Sequence, residues 1–320
     1  MTKPVSSVIE WLLSGDIAVR YQTTRDLLDD NQPRLQNRIT QEGWGRQYLE
    51  CRNSDGTWGQ AFYQPKWTST HYTLLALKNL EIAPSTTGIL DVVLRVADRN
   101  IAGDGGLGTS ANLKKSDVCV NGMFLNYACY FQVPERSITS VIDFLLTEKL
   151  DDGGFNCMRN RSGAQHSSLH STLSVLEGIF EYRRAGHTYR LDDLQKAVVS
   201  SQDFILQHRF FKSDRTGKII NPDFLKMPYP PRWRYNVLRA LDFFRSAKVA
   251  YDPRMDAALS AITARRRSDG KWPRQAALPG KVHFVMEPPR GPSLWNTLLA
   301  LRVLRAYPQE PAADPTSAHI

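Results

Sequence analysis

The chain has 320 residues, of which 42% are hydrophobic and 23% charged, a composition that suits a globular core and excludes a disordered or fibrous protein. Its net charge of +9 points to an anionic partner or merely to a basic surface, and the scattered placing of the basic residues speaks against nucleic acid. No run of about 18 apolar residues occurs, which excludes a transmembrane helix.

Residues 5–13 read as a short helix, and Asp16 can cap a second one reaching residue 30. Pro33 opens a third, to residue 51. Further helices are expected over 68–80, 86–101, 117–131, 134–149, 167–184, 191–211, 233–247, 252–267 and 293–307. The tail, residues 309–320, is rich in Pro and Ala and reads as disordered. Residues 1–10 lack the apolar core of a secretory leader. The four cysteines, Cys51, Cys119, Cys129 and Cys157, form no CxxC pair and are expected to be reduced thiols of a cytoplasmic protein.

An Asp-Gly signal recurs about every fifty residues, at Asp55-Gly56-Thr57-Trp58, Asp104-Gly105-Gly106-Leu107, Asp152-Gly153-Gly154-Phe155 and Asp269-Gly270-Lys271-Trp272. Asp214-Arg215-Thr216-Gly217 looks like a decayed copy. Each copy lies between two amphipathic segments. Nothing reads as a sheet. The twelve helices therefore pair into six hairpins, which either stack as an open solenoid or close on themselves, the second helix of each pair inside. The expected fold is all-α, a single domain over residues 1–308. Aligning the second helices places His71, Cys119, His170 and Arg234 at one repeat position.

The chemistry centres on Asp117-Val118-Cys119 at the start of one such helix. Asp117 suits the N-cap, and the positive end of the helix favours a thiolate at Cys119. A thiol and a histidine at equivalent heights on neighbouring helices, with a carboxylate beside them, make a set suited to metal: Asp117, Cys119 and His170. His170 reads equally as a core histidine bonded to a carbonyl. His166, four residues earlier, is a fourth ligand, the partner that orients one, or a solvated loop residue. Cys51, Cys129 and Cys157 read as structural thiols. Trp67, Tyr72, Trp233 and Trp295 read as core residues or, in a ring, as its lining, which His71 is expected to share, and Arg232, Arg234, Lys281 and Arg290 as a basic mouth or a solvated rim. Glu287 is a base or a salt-bridge partner.

Repeats of Asp-Gly-x-Trp/Phe-Gly followed by an inner helix resemble those of squalene cyclases and protein prenyltransferases, over residues 53–307. Lys114-x-x-Asp117-x-Cys119, and His170 after Gly153-Gly154, resemble the prenyltransferase β-subunit. The resemblance implies that the six hairpins close into an (α/α)6 toroid with its ligand cavity inside the inner ring, Zn²⁺ held by Asp117, Cys119 and His170, and a diphosphate bound by Lys114. It implies a thiolate attacking an allylic diphosphate, an isoprenoid or other amphiphilic anion as substrate, and a partner subunit. The sequence also departs from these families. Cys119 stands where squalene–hopene cyclases carry a protonating Asp, Val120 replaces the Tyr after the zinc Cys, and Ala111 falls where an Arg is expected. A lanthionine-synthetase-like cyclase lacks support, because its Cys-His-Gly motif is missing. A non-catalytic toroid that binds a lipid or a protein is the alternative from another class.

Overall fold

The computed structural model describes residues 7–109 and 115–308. Among them no strand occurs. The helices are α1 (Ser7–Leu13), α2 (Ile17–Leu27), α3 (Pro33–Arg38), α4 (Gly43–Glu50), α5 (Thr70–Leu80), α6 (Ile89–Asn100) and α7 (Val118–Tyr130), then α8 (Thr139–Thr147), α9 (Cys157–Ser162), α10 (Leu169–Arg184), α11 (Leu191–Gln207), α12 (Val237–Ser246), α13 (Asp256–Thr263) and α14 (Leu294–Ala306). The protein is all-α, as its periodicity predicts. Lys114, Ala111 and the tail beyond residue 308 lie outside the described residues.

The Asp-Gly copies share one construction. In each, a backbone bond closes the turn: Asn53 N–H to Thr57 O at 2.8 Å, Ala102 to Gly106 at 2.8 Å, Leu150 to Gly154 at 3.0 Å and Arg267 to Lys271 at 2.8 Å. Gly56, Gly105, Gly153 and Gly270 have φ of +85°, +85°, +103° and +79°, where a side chain is strained. The Asp carboxylates accept from nearby N–H groups, as Asp55 does from Thr57 at 2.9 Å and Asp152 from Ser167 at 2.7 Å.

Behind each turn an apolar side chain is fully buried: Trp58, Leu107, Phe155 or Trp272. Its backbone N–H is taken by a polar side chain at the start of the next helix, Thr70 (3.0 Å), Asn121 (2.7 Å), Thr172 (3.0 Å) or Thr297 (3.0 Å) respectively. The turn thus fixes where the following helix begins. Thr172→Val keeps the volume but leaves the Phe155 N–H buried and unpaired. A loss of about 1–3 kcal/mol is expected in urea denaturation; unchanged stability would show that this bond does not hold the turn.

Contacts between helices run in a closed succession. α5 packs on α7, and α7 lies along α10. Arg239 of α12 pairs with Glu177 of α10 at 2.6 Å. α12 packs on α14, and α14 on α2. Gln22 of α2 donates to the Asn79 carbonyl of α5 at 3.0 Å, and Arg25 pairs with Glu81 just beyond it. α7 and α10 approach closely because Gly122 and Gly178 face each other's helix without side chains.

Several segments differ from expectation. The helix expected over 33–51 is two, α3 and α4, because Gly43 turns with φ +64° against Asp16. Asp16 caps both α2, accepting from Ala18 N–H at 2.9 Å, and α4, accepting from Trp44 N–H at 2.8 Å. The helix expected from residue 233 begins only at Val237, with Asn236 as its cap. The third Asp-Gly turn is followed by the short α9 before α10 begins.

Candidate functional site

Asp117 is the N-cap residue of α7, but its side chain does not cap the helix. Its carboxylate instead takes a charge-assisted bond from Arg161 of α9 at 2.6 Å. Burial pushes the Asp117 carboxyl up, although Arg161 and Lys66 oppose this.

Cys119, two residues into α7, meets a partner that its sequence context does not reveal. Cys157, the first residue of α9, accepts the Cys119 N–H at 3.0 Å and the Ser171 hydroxyl at 3.2 Å. The Cys119 thiol also hydrogen-bonds to the Cys157 sulfur. This bond and burial hold the Cys119 thiol well above the ordinary range, so the expected thiolate does not form there. The same bond, with those from Ser171 and the Cys119 N–H, lowers Cys157 despite its burial. Cys129, by contrast, is a buried core thiol, as expected. No signal in the sequence marks Cys157, which lies 38 residues from its partner.

His170 sits two residues into α10 and turns to Trp233, Phe224 and Tyr235. The neighbour of the thiol pair on α10 is Ser171, and one residue along a helix is a turn of about 100°. The His170 ring packs on Trp233 at 5.1 Å and on Phe224 at 5.3 Å. Its Nδ1 accepts the Tyr235 N–H at 2.8 Å. Burial, then Arg239 and Arg234, push its pKa down to about 4. It is therefore neutral, with the proton on Nε2. A histidine that ligates through Nε2 donates from Nδ1, the opposite arrangement. Among the described residues no three His, Cys, Asp or Glu side chains stand where they could hold a metal ion. Asp117 is thus engaged by Arg161 and His170 by the Tyr235 N–H.

His166 is exposed in the loop before α10, and its carbonyl accepts from the Asn156 amide at 2.7 Å. It precedes the cap, Ser168, so the helical spacing expected between it and His170 does not apply.

The shared repeat position holds for Cys119 and His170, each two residues before the side chain that grips the preceding turn. His71 instead follows its gripping residue, Thr70, and stands a turn further in. It is fully buried, with Nδ1 3.3 Å from the Tyr127 hydroxyl and no partner for Nε2 among the described residues. Burial lowers its pKa to about 3, so it is neutral. Arg234 lies before the cap of α12 and outside the register.

Cations and indoles gather beside this end of the helices. The Lys66 ammonium lies over the rings of both Trp67 (5.0 Å) and Trp233 (5.4 Å). Arg232 lies over Trp67 at 4.5 Å, and Arg234 over Trp233 at 5.5 Å. Among the described residues neither Lys66 nor Arg232 makes an ion pair; Arg232 donates only to the Trp67 carbonyl, at 3.3 Å. Arg232 has φ +56°, a strained conformation that the loop imposes. Tyr72 packs edge-on against Trp67 and shares a 2.9 Å hydrogen bond with Tyr63.

Of the other expected members, Lys281 follows Pro279, whose carbonyl accepts the Trp67 indole N–H at 2.6 Å, and Gly280, which lies against the Trp67 ring. Trp295 is buried, stacked on Tyr229 at 4.6 Å and on Trp44 at 6.1 Å. Lys281 and Arg290 are exposed. Glu287 is buried, accepts from Ser293 Oγ at 2.8 Å and Leu294 N–H at 2.6 Å, and so anchors the start of α14. No family model and no curated protein sequence matches the chain. Among the described residues no helix is long and apolar enough to cross a membrane.

Proposed function

We propose that this chain is an α/α toroid of the protein prenyltransferase and terpenoid cyclase kind, and that the end carrying Lys66, Trp67, Arg232, Trp233 and Arg234 binds an anionic amphiphile such as an isoprenoid diphosphate. The closed succession α2, α5, α7, α10, α12, α14 supports the ring. The single observation that carries the ligand class is Lys66 over two indoles, with Arg232 beside it and no carboxylate pairing with either. Such cations suit phosphate oxygens, and the indoles suit an isoprenoid or an allylic cation. Binding only, without turnover, is the second reading, favoured by the engagement of Asp117 with Arg161 and of Cys119 with Cys157.

Prenyl diphosphates of increasing chain length are expected to raise the melting temperature progressively, by mass action. Lys66→Met is expected to weaken them about tenfold or more, the worth of a charge-assisted bond, and to leave the matching alcohols unchanged. Equal effects on diphosphate and alcohol would remove the anion-binding reading. Zinc held by Asp117, Cys119 and His170 requires His170 to release the Tyr235 N–H and Asp117 to release Arg161. Metal analysis of protein purified without chelator, comparing Cys119→Ala with Cys129→Ala, tests that rearrangement; equal metal in both variants counts against it.

A further inference from the structure

We infer that Cys119 and Cys157 are a redox-active dithiol, which a hydroperoxide closes to a disulfide. The geometry is local and specific. Cys157 Sγ is 3.0 Å from the Cys119 backbone nitrogen and 3.2 Å from Ser171 Oγ. Bond lengths then hold the two Cα atoms within about 7 Å of each other, near the span that disulfides bridge. The Cys157 sulfur already rests on the first turn of α7, against the backbone of Cys119, so little motion separates the reduced pair from the bonded one. Each residue keeps part of its surface exposed although its thiol is largely enclosed, whereas Cys129 is buried throughout.

The step balances as follows. One thiol attacks the terminal peroxide oxygen, the O–O bond breaks, and a sulfenic acid forms as an alcohol or water leaves with the proton. The second thiol attacks that sulfur; the S–S bond forms, the S–O bond breaks, and water leaves. Two thiols are oxidised by two electrons, and one hydroperoxide is reduced. The bond ties α9 to the first turn of α7 and withdraws the Cys119 thiol from the end of the helices where Asp117 lies. Nothing in this chemistry requires the ligand proposed above.

The test uses the full chain, treated with hydrogen peroxide, denatured, alkylated and digested without reductant. Two of the four thiols are expected to become unreactive, with one linked peptide joining Cys119 to Cys157, and dithiothreitol should restore both. In Cys119→Ser and in Cys157→Ser the link is absent, and the remaining thiol is expected to be trapped by dimedone as a sulfenic acid. Four reactive thiols after a treatment that oxidises free glutathione, or a link through Cys51 or Cys129, would overturn the inference. The readout is sulfur chemistry alone, so its failure and a failure of the ligand reading are distinguishable.

Discussion

Replacing Arg302 with Met is expected to lower the unfolding free energy by about 3–5 kcal/mol, the cost of removing one partner from a buried ionic network. Arg302, on α14, is 9% exposed. It donates to Asp242 of α12 at 2.6 Å, to Asp26 of α2 at 2.9 Å and to Gln22 at 3.1 Å. One guanidinium therefore joins three helices that are far apart in sequence. Without it Asp26 keeps Arg25 and Asp242 keeps Arg245, but the two carboxylates lose the charge between them.

Burial pushes both carboxyls up, and the surrounding arginines more than offset this, leaving each below its ordinary value. A depressed carboxylate contributes stability that is present above its unfolded pKa and is lost as pH falls through the folded one. The gap between wild type and Arg302→Met is thus widest near neutral pH and narrows below about pH 4. Urea denaturation at pH 7 and at pH 3.5 checks this. A gap that does not change with pH would assign the loss to packing of the side-chain stem.

Gly122→Ala is the second large effect, expected at about 2–3 kcal/mol, toward the upper end for overpacking. The added methyl would lie 2.6 Å from the Ser174 carbonyl oxygen and 2.7 Å from Val175 N. These are backbone atoms of α10 and have no rotamer to escape into, so α7 and α10 must part. Gly178→Ala meets the Gly122 oxygen at 2.5 Å from the other side. Once one substitution has parted the helices, the second costs less, so the double variant is expected to lose less than the sum. Gly103→Ala, with nothing within 4 Å, is the control and is expected to be near neutral. Melting temperatures of the four variants and of wild type decide it; a Gly122→Ala protein as stable as wild type would mean that the helices are less closely packed.

Much of the architecture was legible because it rests on local chemistry. The Asp-Gly turns require a left-handed glycine and a carboxylate two residues from an N–H, and both are sequence features. The apolar residue behind each turn and the helix that follows it come with the repeat. Asp16 was recognised as a cap for the same reason. Its second role, on α4, was not, since Trp44 is 28 residues away.

The candidate site was legible only in outline. Asp117-x-Cys119 at the start of α7 was found, and so were Trp67, Trp233, Arg232 and Arg234, but Lys66, which lies over both indoles, was not, because nothing local distinguishes it from any other basic residue. The alignment that grouped His71 with Cys119 failed by three residues. Such a slip turns a helix almost back to the same face and advances it about 4.5 Å, so the apolar pattern hardly registers it. Only the bond from Trp58 N–H to Thr70 shows where α5 begins.

The sequence by itself thus determined the helical class, the hairpin repeat, the turns between its members and the helix end at which reactive side chains collect, because periodicity, caps and glycine act over a few residues. The tertiary structure decided which side chains meet there: Cys119 with Cys157, Asp117 with Arg161, His170 with Tyr235 N–H, and Lys66 with two indoles. Those pairings depend on how separate helices are rotated and advanced against one another. That is set by packing such as the Gly122–Gly178 approach, which no local pattern encodes.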